Sequence, residues 1–155
     1  MFRGSEIVEI GIQIERNGRE YYEALTAKAG SAAAAAAFRF LAQQESSHIS
    51  VFEKLLATVE QYQPAEAYPE EYFTYLQALA GEHVFTKPAA GAAAAAQVTD
   101  DRAAIDLALR FEHDSIAFFN GMKRVVPAAD HGLLAALVAE EEKHVAQLTE
   151  LRAKL

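Results

Sequence analysis

An all-α fold, an antiparallel four-helix bundle with a long crossover between its second and third long helices, is predicted by three observations. Apolar residues recur at spacings of three and four in four long segments, while no segment alternates convincingly with period two. Capping residues, glycines and prolines fall between those segments. The first hairpin also recurs in the second. Ile10, Ile12, Ile14, Glu15, Tyr21, Tyr22 and Leu25 match Leu107, Leu109, Phe111, Glu112, Phe118, Phe119 and Met122 at an offset of 97. Phe38, Leu41, Glu45, His48, Ile49, Phe52 and Leu55 match Leu134, Leu137, Glu141, His144, Val145, Leu148 and Leu151 at an offset of 96. One helical hairpin used twice explains both registers.

The first helix, about 5–29, is capped by Ser5, carries Ile7, Ile10, Ile14, Tyr21 and Leu25 on one face, and stops near Gly30. The second, about 32–62, runs from the alanines at Ala32 through Phe38, Leu41, His48, Phe52 and Leu55 to about Tyr62, with Pro64 beyond it. A short turn between them makes the pair antiparallel. In the crossover, 63–99, Pro69 opens a short helix over about 69–80, and Gly81, Pro88 and Gly91 break the pattern. The alanine stretch 92–96 suits a helix or a mobile link and suggests no chemistry. Thr99, Asp100 or Asp101 caps the third long helix, about 100–126, which ends at Pro127. Asp130 caps the fourth, about 130–154, and the whole of 1–155 reads as a single domain.

Bulk properties narrow the function classes. A chain of 155 residues with 52% hydrophobic residues can bury one core. A net charge of −8 argues against a nucleic-acid surface, which needs a basic patch. With no cysteine, disulfides, iron–sulfur clusters and thiolate-ligated zinc or iron are excluded. No apolar run has the length of a signal peptide or a membrane span, so a cytoplasmic protein is expected.

The chemistry lies in the apolar stripes. Glu45 stands among Phe38, Leu41, Ala42, Ile49 and Phe52, and Glu141 among the equivalent Leu134, Leu137, Val138, Val145 and Leu148. Glu112 is set among Ile105, Ala108, Leu109, Ile116 and Phe119, and Glu15 between Ile12 and Tyr22. A buried ionised carboxylate is so costly that it persists only when paired, neutralised or metal-bound. His48 and His144 each follow a core Glu by three residues, which puts both side chains on one side of the helix. One Glu from each of two helices and Glu-x-x-His from each of the other two is the ligand pattern of di-iron and di-manganese carboxylate bundles. The expected metal ligands are therefore Glu15, Glu45, His48, Glu112, Glu141 and His144, and the catalytic residues are the same six. Oxygen donors with some imidazole favour iron or manganese. Tyr22, two turns after Glu15, is either a donor to a ligand carboxylate or a core aromatic. His83, His113 and His131 lack a partner Glu and are expected at the surface or in caps. Glu20, Glu23, Glu53, Glu140, Glu142 and Glu150 are expected on a solvated face.

With Ile14-Glu15-x-x-Gly18-x-x-Tyr21-Tyr22, Phe111-Glu112-x-x-Ser115-x-x-Phe118-Phe119 and the two Glu-x-x-His motifs, nearly the whole chain resembles the rubrerythrin branch of the ferritin-like superfamily. The resemblance implies two iron ions, with manganese or zinc as alternatives, bridged by Glu45 and Glu141. It also implies oxidation of ferrous iron or reduction of hydrogen peroxide or oxygen, and a homodimer or larger assembly. Two departures stand out. Rubrerythrins proper carry a four-cysteine rubredoxin-like domain, so a peroxidase built on this chain needs an external electron donor. They also commonly carry a second Glu on the third long helix, where this chain has Ser115. The expected function is a di-iron or di-manganese oxidoreductase. Its alternatives are iron storage without turnover and a structural site holding zinc. Neither nucleic acid nor membrane is an expected partner.

Overall fold

The structure, a computed structural model, describes residues 4–61, 70–83, 85–124 and 126–155. Six α-helices account for most of them: α1 Gly4–Lys28, α2 Ala32–Gln61, α3 Glu70–Glu82, α4 Ala90–Gln97, α5 Asp101–Gly121 and α6 His131–Ala153. No strand occurs among the described residues, and the architecture is the all-α ferritin-like bundle. α1 packs along α2, and α5 along α6, as the two halves of the repeat require. Of the crossover helices, α3 lies on α5 and α4 on α1. The core they enclose is aromatic at its centre, with Tyr21, Tyr22, Phe38, Phe52, Phe85, Phe111, Phe118 and Phe119 fully buried.

The helix ends depart from expectation in instructive ways. α1 begins one residue before Ser5, so Ser5 lies in its first turn. Ser31, unassigned from sequence, accepts from Ala34 N–H at 3.1 Å and caps α2. Asp100 caps α5, accepting from Ala103 N–H at 2.7 Å. α5 ends at Gly121 rather than near 126, and a 3-10 turn, Met122–Arg124, follows it. Asn120 and Gly121 are poor helix formers, and Pro127 disfavours helical geometry in the residue before it. Asp130 does not cap α6: it closes a second 3-10 turn, Ala128–Asp130, and its side chain makes no capping hydrogen bond. Tyr62, Pro64 and Pro69, placed by sequence at helix boundaries, lie outside the described residues.

The alanine stretch is helical, and its composition has a packing reason. A Cβ on Gly91 would run into the Asn17 carbonyl of α1, so only glycine permits this approach. The alanines that follow keep the two helices close, with Ala95 buried in the core. Replacing Gly91 with Ala is expected to push α4 away from α1 and lower stability by about 2 kcal/mol, the usual scale for forced overpacking. Gly132→Ala, where an added Cβ meets nothing within 4 Å, should change stability by less than about 0.5 kcal/mol. Urea denaturation of the two variants checks both values.

Candidate metal centre

Each of the four long helices delivers its share of the cluster from a buried position. Glu15, Glu45, Glu112 and Glu141 have no exposed surface, and His48 and His144 almost none. Gly18 of α1 makes room for them: a Cβ there would come within 2.6 Å of the Phe111 ring and 3.4 Å of the Glu45 carboxyl carbon. Both imidazoles turn Nδ1 toward the carboxylates. His48 Nδ1 lies 2.8 Å from Glu141 Oε1, 3.4 Å from Glu15 Oε2 and 3.6 Å from Glu45 Oε2. His144 Nδ1 lies 3.1 Å from Glu141 Oε2, 3.5 Å from Glu112 Oε1 and 3.7 Å from Glu45 Oε1. The two rings are nearly parallel, 5.5 Å apart at an angle of 18°.

The donors sort into two overlapping groups: Glu15, Glu45, His48 and Glu141, and Glu45, Glu112, Glu141 and His144. Within each group one ligand atom per residue lies within 4.8 Å of the others. Glu45 and Glu141 belong to both. All six residues singled out from sequence are brought together. Tyr22 lies beside them: its buried hydroxyl donates to Glu112 Oε1 at 2.6 Å, which resolves the sequence alternatives in favour of a donor to a carboxylate.

Whether such a cluster fits metal is decided by its unpartnered atoms. Both oxygens of Glu15 and of Glu45 and Glu112 Oε2 are buried without a hydrogen bond, and Glu141 Oε1 and His48 Nδ1, though 2.8 Å apart, do not meet in well-aligned hydrogen-bond geometry. Buried polar atoms are normally satisfied. Seven such atoms within one cluster, all hard oxygen or imidazole nitrogen, fit what a pair of iron or manganese ions takes.

Protons stabilise the same cluster when metal is removed. Burial, and then the Glu141 charge, raise Glu15 from 4.5 to about 7. Burial and the same neighbour raise Glu112 to about 8. Glu45 is raised well above 4.5, by burial and then by the Glu15 charge. Burial alone would depress the imidazoles, but hydrogen bonding to carboxylates outweighs it, holding His144 up to about 10 and raising His48 as well. Glu141 alone is lowered: burial opposes its charge, but hydrogen bonds from Glu112, His144 and His48 prevail.

The remaining histidines divide. His113 is exposed, and the half-buried His131 bonds the Val126 carbonyl through Nε2 at 3.2 Å. His83, expected at the surface or in a cap, is instead only 4% exposed. Its Nδ1 accepts from Phe85 N–H at 3.1 Å, which leaves Nε2–H to donate to Ser115 Oγ, also at 3.1 Å. Burial lowers its pKa to about 4, so the ring is neutral. Asn17, which the sequence did not single out, is fully buried between α1 and the crossover. Its only sequence signal is a polar residue one position before Gly18, within an apolar stripe. Of the glutamates assigned to a solvated face, Glu23, Glu53, Glu142 and Glu150 are exposed, while Glu20 and Glu140 are half-buried. Glu53 faces Arg16 at 3.9 Å rather than the cluster.

Comparison with known proteins supplies the family. The Rubrerythrin family profile matches residues 6–152. This chain belongs to the rubrerythrin family. No curated protein and no solved structure gives a significant match. Rubrerythrin-family domains typically hold a di-iron centre, and the buried Glu/His cluster of this member is compatible with one. Among the described residues, no helix of this rubrerythrin-family chain is long and apolar enough to cross a membrane.

The raised carboxylates set a pH dependence for the metal-free protein. Between the unfolded value of 4.5 and the folded values of about 7 and 8, the native state binds protons at Glu15 and Glu112 that the unfolded chain has released. Stability therefore falls as pH rises through this window. The raised imidazoles act in the same direction above 6.5, and the lowered Glu141 acts oppositely only below 4.5. In the presence of a chelator, the thermal midpoint is expected to drop by about 5 °C or more between pH 5 and pH 8. A midpoint that rises over that range contradicts the assigned shifts.

Proposed function

We propose that this protein binds two metal ions, iron or manganese, through Glu15, Glu45, His48, Glu112, Glu141 and His144. In this reading it is an oxidoreductase that oxidises ferrous iron or reduces hydrogen peroxide or oxygen. The observation that carries the reading is the pair of overlapping donor groups sharing Glu45 and Glu141. Glu45 and Glu141, common to both groups, would be shared by two ions, as in two-metal centres. Glu15 and His48 would complete the holding of one ion, and Glu112 and His144 of the other.

The ions would supply the redox chemistry, and the protein's part is ligand placement, exclusion of water and control of protons. Glu15, Glu112 and the imidazoles hold protons that metal would have to displace, so affinity would rise with pH. Tyr22 acts on one side only. By donating to Glu112 Oε1 it leaves Oε2, the unpartnered oxygen, for the metal. Burial, and then the Glu112 and Glu45 charges, raise the Tyr22 pKa, so the hydroxyl keeps its proton and remains a donor. Residues 1–155 contain no cysteine, so electrons for peroxide reduction would reach the cluster from outside these residues or from ferrous iron itself.

Anaerobic loading with Fe(II), followed by separate exposure to oxygen and hydrogen peroxide under optical absorbance, tests the reading. Two irons per chain and rapid oxidation by one oxidant are expected. Glu45→Ala and Glu141→Ala should each abolish binding of both ions, whereas Glu15→Ala should spare one. Tyr22→Phe should keep both ions but change the oxidation rate by about tenfold, the scale typical of groups that orient a ligand. Substoichiometric iron and manganese, unaltered by Glu45→Ala, rejects the site. Many irons per chain in a hollow assembly favours storage. Tight zinc binding without ferrous oxidation favours a structural site.

A further inference from the structure

The described residues that follow α3, His83 and Phe85 to Ala89, together with Gly91 in the first turn of α4, are tied to two different ligand helices. On one side, Asn17 of α1 commits both amide hydrogens and its amide oxygen to them. Nδ2 donates to the Phe85 carbonyl at 2.7 Å and the Lys87 carbonyl at 2.6 Å, while Oδ1 accepts from Gly91 N–H at 3.3 Å. On the other side, His83 donates to Ser115 Oγ of α5, and the Ser115 hydroxyl donates to the Phe111 carbonyl at 2.9 Å. Between the ties, the Phe85 ring packs on Tyr21 of α1 at 5.2 Å and on Phe111 of α5 at 4.6 Å. Asn17, Phe85 and Ser115 have no exposed surface.

The helices so tied are the two that contribute a single carboxylate each. Asn17 comes two residues after Glu15, and Ser115 three residues after Glu112. α2 and α6, which carry the Glu-x-x-His motifs, receive no hydrogen bond from this segment among the described residues. An apolar seam between α1 and α5 would tolerate small axial slips, because apolar contact is non-directional. Hydrogen bonds from a buried amide and a neutral imidazole do not, since any slip strands buried polar groups. Metal ligands need placement to within about 0.5 Å. We propose that Asn17 and His83 are positioning residues that strap α1 to α5 and set Glu15 against Glu112 for metal binding. This inference rests on the two-metal reading of the cluster. It assigns each strap end to one donor group: Asn17 to the group containing Glu15, His83 to the group containing Glu112.

Titration of the full chain with Co(II), a redox-stable probe, followed by calorimetry and visible absorbance, tests it. Wild-type protein should bind two equivalents. Asn17→Leu and His83→Leu should each keep one tight equivalent and weaken the other by about tenfold or more, with an altered Co(II) spectrum. His83→Gln, whose amide can both accept from Phe85 N–H and donate to Ser115, should restore wild-type affinity. Phe85→Leu, which loses ring packing but keeps its backbone carbonyl, should lower the thermal midpoint while leaving both affinities unchanged. Should Asn17→Leu or His83→Leu fail to fold, Ser115→Ala cuts the strap from the α5 side, and weakening of one equivalent is again expected. Two equivalents with wild-type affinity in the folded strap variants overturn the positioning role and leave the metal site standing. A loss of affinity in Phe85→Leu equal to that in the strap variants also overturns it. Wild-type protein that binds no Co(II) overturns the site and the strap together.

Discussion

Four carboxylates cannot share a dry core unless something positive shares it with them, and the organisation of this protein follows from that constraint. Glu15, Glu45, Glu112 and Glu141 are fully buried within a cage of aromatic and aliphatic side chains. Isolated, each would carry a desolvation cost of several kcal/mol or more. The cluster relieves it in two ways. Without metal, protons are retained, which is why three of the four carboxyls titrate high and both imidazoles stay protonated to high pH. With metal, cations would replace protons, and the buried atoms that have no hydrogen-bond partner would serve as its ligands.

The position of the site within the fold follows from the same constraint. Helices carry polar groups into a core only where neighbouring side chains leave room. Here Gly18 allows Phe111 and the Glu45 carboxyl to approach α1. Ring packing then excludes water around the cluster: Tyr22 stacks on Phe38 at 6.3 Å, and Phe52 packs on Phe119 at 4.8 Å. A low local dielectric strengthens every contact between imidazole and carboxylate in the centre, and makes every unpaired one more costly.

How much of this was legible in the sequence depended on periodicity. The six cluster residues lie on long helices with a clean apolar stripe, so spacing alone placed them on a common interior face. The doubling of the hairpin then joined two motifs into one centre. His83 and Asn17 were opaque for the opposite reason. His83 belongs to an irregular segment with no helical frame from which to infer burial, and its partner Ser115 is distant in sequence. Asn17 reads as an ordinary polar residue until the crossover is folded onto α1. The helix ends were hidden by similar competition. Asp130 has cap chemistry, but it closes a 3-10 turn with right-handed helical backbone angles, φ −97° and ψ −2°, rather than the extended backbone typical of a capping residue.

The repeat is close to symmetric at the ligands and broken around them. Gly18 and Ser115 occupy equivalent places, as do Tyr22 and Phe119. At the first pair, glycine admits a neighbouring ring, while serine receives His83 from the crossover. At the second, tyrosine donates across the core to Glu112, while phenylalanine has nothing to donate toward Glu15. Glu15 consequently keeps both oxygens unpartnered, and Glu112 keeps one. A single crossover can cover only one side of a twofold arrangement, and in this chain it covers the side of α1 and α5. Two ions held by matching ligand sets would therefore differ in their surroundings, the Glu112 side next to the Tyr22 hydroxyl and the Ser115–His83 pair, the Glu15 side next to the Asn17 amide and without a hydroxyl donor. Ions in such unlike surroundings differ in affinity and in potential, since surrounding hydrogen bonds and polarity tune a bound metal. The unequal surroundings of an otherwise symmetric ligand set thus come from the Tyr22–Phe119 and Gly18–Ser115 differences between the halves, together with the single crossover that packs on α1 and α5.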